Sequence, residues 1–183
     1  MKNLLFTIAV LFVAIQLTGQ EKYLTRNGTI KFESNAEVDD DVRAINNQVA
    51  VVLVPQKAEL AFQLLIKGFE FKKALMQEHF NENYMESDKF PKARFKGKIE
   101  DFGNIDFSDG KAHEVKVKGE MEIHGVTKPF STQGSIQKKD GSYILSSHFL
   151  IPVKEYGIEI PSLVSDKIAE KIDVDVQATL NAQ

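Results

Sequence analysis

The stretch HFNENYMES at 79–87 gathers the side chains most able to do chemistry in this chain: His79, Glu82 and Tyr84. On a helix, His79 and Glu82 stand three residues apart and share a face, so together they could hold a metal ion or pass a proton. A metal site needs three or four converging ligands. The remaining histidines are His113, His124 and His148. His113 and His124 have opposite parity along one alternating segment, so an unbroken strand sends them to different faces. No HExxH pairing reinforces the metal reading and no GxSxG elbow marks a serine nucleophile. Asp39, Asp40 and Asp41 lie side by side without the spacing of a calcium loop, which reads as a surface turn. The simplest role for His79 is packing, with one ring nitrogen hydrogen-bonded. A metal-assisted enzyme using His79 and Glu82 stays a lesser alternative.

Composition narrows the classes further. The chain has 183 residues, a net charge of −3 and no cysteine. Interspersed charges of both signs argue against nucleic acid, which favours a basic face. Arg94, Lys96, Lys98, Lys116 and Lys118 could make a basic exterior patch, but alternation places them on the solvent side, where mixed charge is ordinary. Without cysteine there is no thiolate ligand, no cysteine nucleophile and no disulfide, so stability must come from the core. At the N-terminus, Lys2 precedes an apolar run from Leu4 to Ile15 and then QLTGQ, the pattern of a secretory signal peptide over 1–19. The run is too short to span a bilayer, which takes about 20 residues. The expectation is an exported, periplasmic or secreted protein whose mature part, 20–183, is one domain with no transmembrane segment.

Most of that part alternates with period 2, the mark of half-buried strands. In HEVKVKGEMEIH, Val115, Val117, Gly119, Met121 and Ile123 take one face and charged residues the other. Ala93, Phe95, Gly97 and Ile99 repeat the pattern after Pro91, as do Ile172, Val174, Val176, Ala178 and Leu180 near the end. Weaker runs occur at 29–34, 48–54, 60–66, 130–136 and 143–151, with turn signals PQK, SDG, HGVTKP and KKDG between several of them. The exception is 72–87, where Leu75, Met76, Phe80 and Tyr84 recur at helical spacing with His79 on the same side, before Pro91 turns the chain back to extended geometry. A second short helix or loop is expected at 161–170.

About eight one-faced antiparallel strands hide their apolar faces in a closed barrel or a sandwich. Eight strands leave an interior that side chains fill or that holds one small ligand. The inward series contains Ala93, Gly97, Gly119, Gly134 and Ala178. These either leave space or mark bulges that let the sheet coil.

This order of elements resembles the YceI-like, lipocalin-like polyisoprenoid-binding proteins of bacteria. The resemblance rests on aromatics ahead of DKFPKARFKGKI, on the hairpin VKVKGEMEIHGVTKPFSTQGSI at 115–136, and on HFLIPVKEYGIEIP, and it covers nearly all of the mature chain. The segment RNGTIKFESNAEVDD lacks the histidine that many members carry near the first strand, and 35–47 looks like a variant connection. The resemblance implies an all-β, lipocalin-like barrel with one packed helix, carrying or storing the tail of an isoprenoid quinone or polyprenyl lipid, with no cofactor and no catalysis.

Parity and apolar character nominate a tunnel wall: Phe62, Leu64, Phe69, Phe71, Phe80, Tyr84, Phe95, Val117, Met121, Phe130, Tyr143, Phe149, Val174 and Val176. His79 and Tyr84 are headgroup candidates. The structural alternative is a barrel filled by its own side chains and acting through its outer surface. Oligomeric state and the identity of the lipid are left open by the sequence.

Overall fold

The computed structural model describes residues 20–34, 42–161 and 169–183. The expected signal peptide, the acidic run at 39–41 and most of the short segment expected at 161–170 lie outside the described residues.

The alternating segments form nine strands: β1 (Tyr23–Glu33), β2 (Arg43–Val54), β3 (Glu59–Leu65), β4 (Glu70–Phe71), β5 (Lys92–Ile99), β6 (Ala112–Ile123), β7 (Val126–Lys139), β8 (Ser142–Pro152) and β9 (Lys171–Ala182). Hydrogen bonding runs in the order β1-β9-β8-β7-β6-β5-β3-β2, and β2 pairs back onto β1. The result is a closed eight-stranded antiparallel barrel, as the alternation and the resemblance led us to expect. The two-residue β4 is an addition to it. It pairs with β2 at Ala44 and Ile45, below the point where β3 leaves β2 at Ala50↔Gln63. Asn46, fully buried, spans that break: its amide donates to the Leu65 carbonyl at 3.0 Å and its oxygen accepts the Gln48 N–H at 2.8 Å. A buried backbone break is tolerated because its polar groups are paired in this way.

One end of the barrel carries α1 (Ala74–His79), which continues into a wider turn over Phe80–Tyr84 closed by the Met85 N–H on the Phe80 carbonyl at 2.9 Å. This helix end also holds the β6–β7 turn and the chain after β8. The opposite end holds the β2–β3, β5–β6 and β7–β8 connections. There Phe102, Phe107, Tyr143 and Tyr23 form a plug of edge-to-face and tilted rings, with Tyr23 and Tyr143 4.7 Å apart and Phe107 and Tyr143 5.4 Å apart.

Two sequence readings are corrected. HGVTKP is not a six-residue turn. His124 and Gly125, at φ 52° and 72°, make the whole connection and β7 begins at Val126. Positive φ at both central residues is what a right-twisted two-residue hairpin requires. Across α1 and the turn after it, the half-buried face is Met76, Gln77, Phe80, Asn81 and Tyr84, whereas Leu75 and His79 are exposed. Apolar character suggested Leu75, which is 63% exposed. The helix instead turns Gln77 inward, where its side-chain oxygen accepts the Phe71 N–H of β4 at 3.3 Å.

The inward glycines do not mark bulges between β5 and β6, whose register is unbroken from Arg94↔Glu122 to Ile99↔Val117. Gly97 and Gly119 face each other across that pair, and a Cβ on either would collide with the opposing backbone. The Phe95 ring lies over Gly97. A bulge does occur in β1, where pairing with β2 shifts around Gly28.

Candidate ligand-binding cavity

The barrel is hollow. Its interior holds a cavity of about 220 Å³, and about 1330 Å³ of space between atoms when the mouth is counted. The wall is almost wholly apolar. Seven of the eight barrel strands, all but β2, contribute inward-facing residues: Ile30 and Phe32 from β1, Leu60, Phe62 and Leu64 from β3, Ala93, Phe95 and Ile99 from β5, and Val115, Val117 and Met121 from β6. Phe130 from β7, Leu145, Phe149 and Ile151 from β8, and Ile172, Val174 and Val176 from β9 complete the ring.

Of the wall expected from sequence, Phe62, Leu64, Phe69, Phe80, Phe95, Val117, Met121, Phe130, Phe149, Val174 and Val176 line this cavity. Phe71, Tyr84 and Tyr143 do not. Phe71 packs behind the wall against Phe32 and Phe80, with ring centroids 5.7 and 5.0 Å apart. Tyr143 belongs to the plug. Tyr84 is half-buried under the helix, and burial raises the pKa of its phenol. His79 and Glu82 are both exposed on the helix exterior, away from the cavity. Among the described residues no three His, Asp or Glu side chains converge as metal ligands.

Sequence reasoning missed part of the wall. Ile30 and Phe32 lay in plain alternation in TIKFE. Phe32 also anchors a quartet with Phe69, Phe71 and Phe80 at the helix end, its ring 5.0 Å from Phe69 and 5.4 Å from Phe80. Met85 and Ile158 close the same end from irregular segments that no periodicity announces. Of the polar residues at the wall, Gln63 and Arg94 pair with each other on the outside, as do Ser135 and Ser146. Thr132 and Ser147 are the ones that alternation turns inward, and their hydroxyls stand 3.4 Å apart. With so few polar groups at its wall, the cavity suits an apolar body.

His124 stands in a polar cluster at the helix end. Its Nε2 lies 3.1 Å from a Glu86 carboxylate oxygen, its Nδ1 3.2 Å from the Tyr156 carbonyl, and its ring 4.5 Å from the Phe90 centroid. It ties the β6–β7 turn to the chain after α1 and to the chain after β8. Elsewhere on the surface, hydrogen bonds from Lys118 to Glu100 and from Lys154 to Glu170 lower the pKa of each carboxyl.

Comparison with known proteins agrees with the barrel. A polyisoprenoid-binding domain from Saccharophagus degradans superposes with a TM-score of 0.77 at 14% identity, over 88% of this chain and 98% of that one. BcnA of Burkholderia cenocepacia gives 0.67 at 10% identity, over 84% and 95%. A YceI protein of Campylobacter jejuni gives 0.56 at 15% identity, over 97% and 91%. No curated relative matches the chain. The family model described as the YceI-like domain matches residues 12–180, which takes in all of the barrel but the last two residues of β9. The chain therefore belongs to the YceI-like domain family.

Proposed function

We propose that this protein binds an isoprenoid lipid, of quinone or polyprenyl type, with the tail in the barrel interior, and that it carries or stores the lipid without changing it. The observation that carries this reading is the hollow, almost wholly apolar cavity running between the aromatic plug and the helix end. Each buried CH₂ contributes about 0.8 kcal/mol, so a branched hydrocarbon tail gains affinity from contact alone and needs no charged partner. The resemblance of the fold to a polyisoprenoid-binding domain supports the same ligand class. The basic start and apolar run at 2–15 support export, with a mature N-terminus near Gln20 that N-terminal sequencing of the exported protein would locate.

The test is uptake of a decaprenyl benzoquinone by the mature protein, followed by native mass spectrometry. The unaltered protein should retain one quinone. Ala93→Phe sets a ring into the cavity from a half-buried position on β5 and should fold but retain none. Equal retention by both proteins would mean the tail does not occupy the interior.

A further inference from the structure

The longest stretch of barrel seam without a main-chain ladder lies between β7 and β8, with shorter interruptions between β1 and β9 after Leu24 and between β2 and β3 around Asn46. β7 and β8 pair only from Gly134↔Ser147 to Lys139↔Ser142, although β7 extends back to Val126 and β8 on to Pro152. On their other sides both strands are fully laddered, β7 to β6 as far as Val126 and β8 to β9 as far as Pro152. The gap is therefore a slit in the wall, from the middle of the barrel to the helix end. Side chains alone span it. Ser147 donates to the Gln133 carbonyl at 2.6 Å where the ladder stops. Phe130 and Phe149 meet edge to face at 4.9 Å in the middle. Lys128 pairs with Glu155 at 3.2 Å at the far end.

Pro129 fits this assignment. It sits in the unladdered half of β7, where a missing N–H removes no bond to β8. Two environments adjoin where the ladder stops. Gly134, Ser135, Ser146 and Ser147 border both the interior cavity and a polar depression on the outer face that includes His148 and Asp175. On β8, Leu150 stands outward beside the slit and is 47% exposed, an apolar contact at its outer lip.

We propose that this half-seam between β7 and β8 is the portal through which the lipid tail enters and leaves, with the inward hydroxyls of Thr132 and Ser147 meeting the polar head at its inner edge. This rests on the proposed lipid binding and adds the route. Opening the slit separates two rings, one exposed ion pair and two hydroxyl contacts. Opening any laddered seam breaks a row of main-chain bonds in the wall.

The test uses the absence of cysteine. Continuing the register of the laddered half places Ser131 and Leu150 opposite each other, and both are exposed. The mature Ser131→Cys/Leu150→Cys protein is bridged with a short bis-thiol reagent carrying a cleavable link. Lys96→Cys/Glu120→Cys, an exposed laddered pair between β5 and β6, is bridged identically as control. Uptake of the decaprenyl benzoquinone from detergent is then timed. The portal predicts at least tenfold slower loading in the bridged β7–β8 protein, recovery on cleaving the link, and no change in the control. Unbridged protein that loads, with bridging that leaves the rate unchanged, overturns the portal while the binding reading stands. No uptake by any unbridged protein overturns the binding reading, and the portal with it. A far-ultraviolet circular dichroism spectrum matching the unaltered chain shows that each variant is folded. Should the cysteine pair fail that check, Lys128→Cys/Glu155→Cys supplies the bridge at the same slit.

Discussion

The two ends of this barrel are shut by different means. At the plug end, β7 and β8 are hydrogen-bonded to the last residue before their turn, and four aromatic rings fill the bore behind them. Lys138 lies over two of those rings, 5.3 Å from the Tyr143 centroid and 5.9 Å from that of Tyr23. At the helix end the same two strands part, and closure falls to a mix of buried and half-buried aromatics, a short helix without a side-chain cap, and the contacts of His124. A packed plug with a complete ladder is held by terms that must break together. The helix end is held by separate side-chain contacts, each of modest worth. The contrast sets a packed floor against a rim held contact by contact.

The sharpest way to break the comparison is to hollow out the plug. Phe102→Ala removes a ring buried against Phe107 and Tyr143 and should destabilise by about 3–5 kcal/mol in urea unfolding. Phe80→Ala, at the half-buried rim, should cost less than half of that. Equal losses would erase the distinction between floor and rim. Next comes the wall between them. Gly119→Ala forces a methyl into the Lys96 carbonyl and the Gly97 backbone and should cost about 1–3 kcal/mol, with the cavity left in place. At the rim turn, Gly125→Ala meets both a left-handed φ of 72° and the Phe90 ring 2.5 Å away, for a loss of about 1–2 kcal/mol.

Hydrogen exchange sharpens the contrast without mutation. Alternate amides of Val126–Gln133 and His148–Ile151 that face the slit should exchange faster than any in Ile136–Lys139. Uniform protection along β7 would mean the slit is closed in solution.

The smallest expected effect is electrostatic and belongs to the plug. The Tyr23 hydroxyl donates to Glu21 at 2.7 Å, and that bond, reinforced by burial, pushes its pKa up to about 12. An unfolded tyrosine titrates near 10. The folded state therefore holds this proton more tightly, and the stabilisation is complete below pH 10 and lost as pH rises from 10 towards 12. Tyr23→Phe should flatten that fall in thermal melts taken across the window. An unchanged slope would show that the Glu21 contact is not formed.

The barrel was largely legible in the sequence because alternation records which face each residue takes, and a closed sheet turns that record directly into a wall. Val117, Met121, Val174 and Val176 needed nothing more. The helix was harder: Leu75 looked like a core residue, yet the main chain of β4 called for a hydrogen-bonding partner and Gln77 supplied it. The plug was hidden in EDFGNIDFSDGK, which reads as a loop. Two phenylalanines in so polar a segment, Phe102 and Phe107, were the available sign that it folds inward. The slit left one mark, Pro129. Alternation is identical in a paired and an unpaired strand, so a missing ladder does not show in side-chain pattern, whereas a residue without an N–H does.

Native mass spectrometry of the mature protein purified from a bacterial periplasm, with solvent extraction of whatever it holds, decides between a lipid-filled and an empty barrel. Lipid binding in the interior gives one discrete added mass per chain that resolves to an isoprenoid quinone or polyprenyl lipid and is absent from Ala93→Phe. A bare protein mass, together with no uptake of added decaprenyl benzoquinone, would contradict it and assign the function to the outer surface of the barrel.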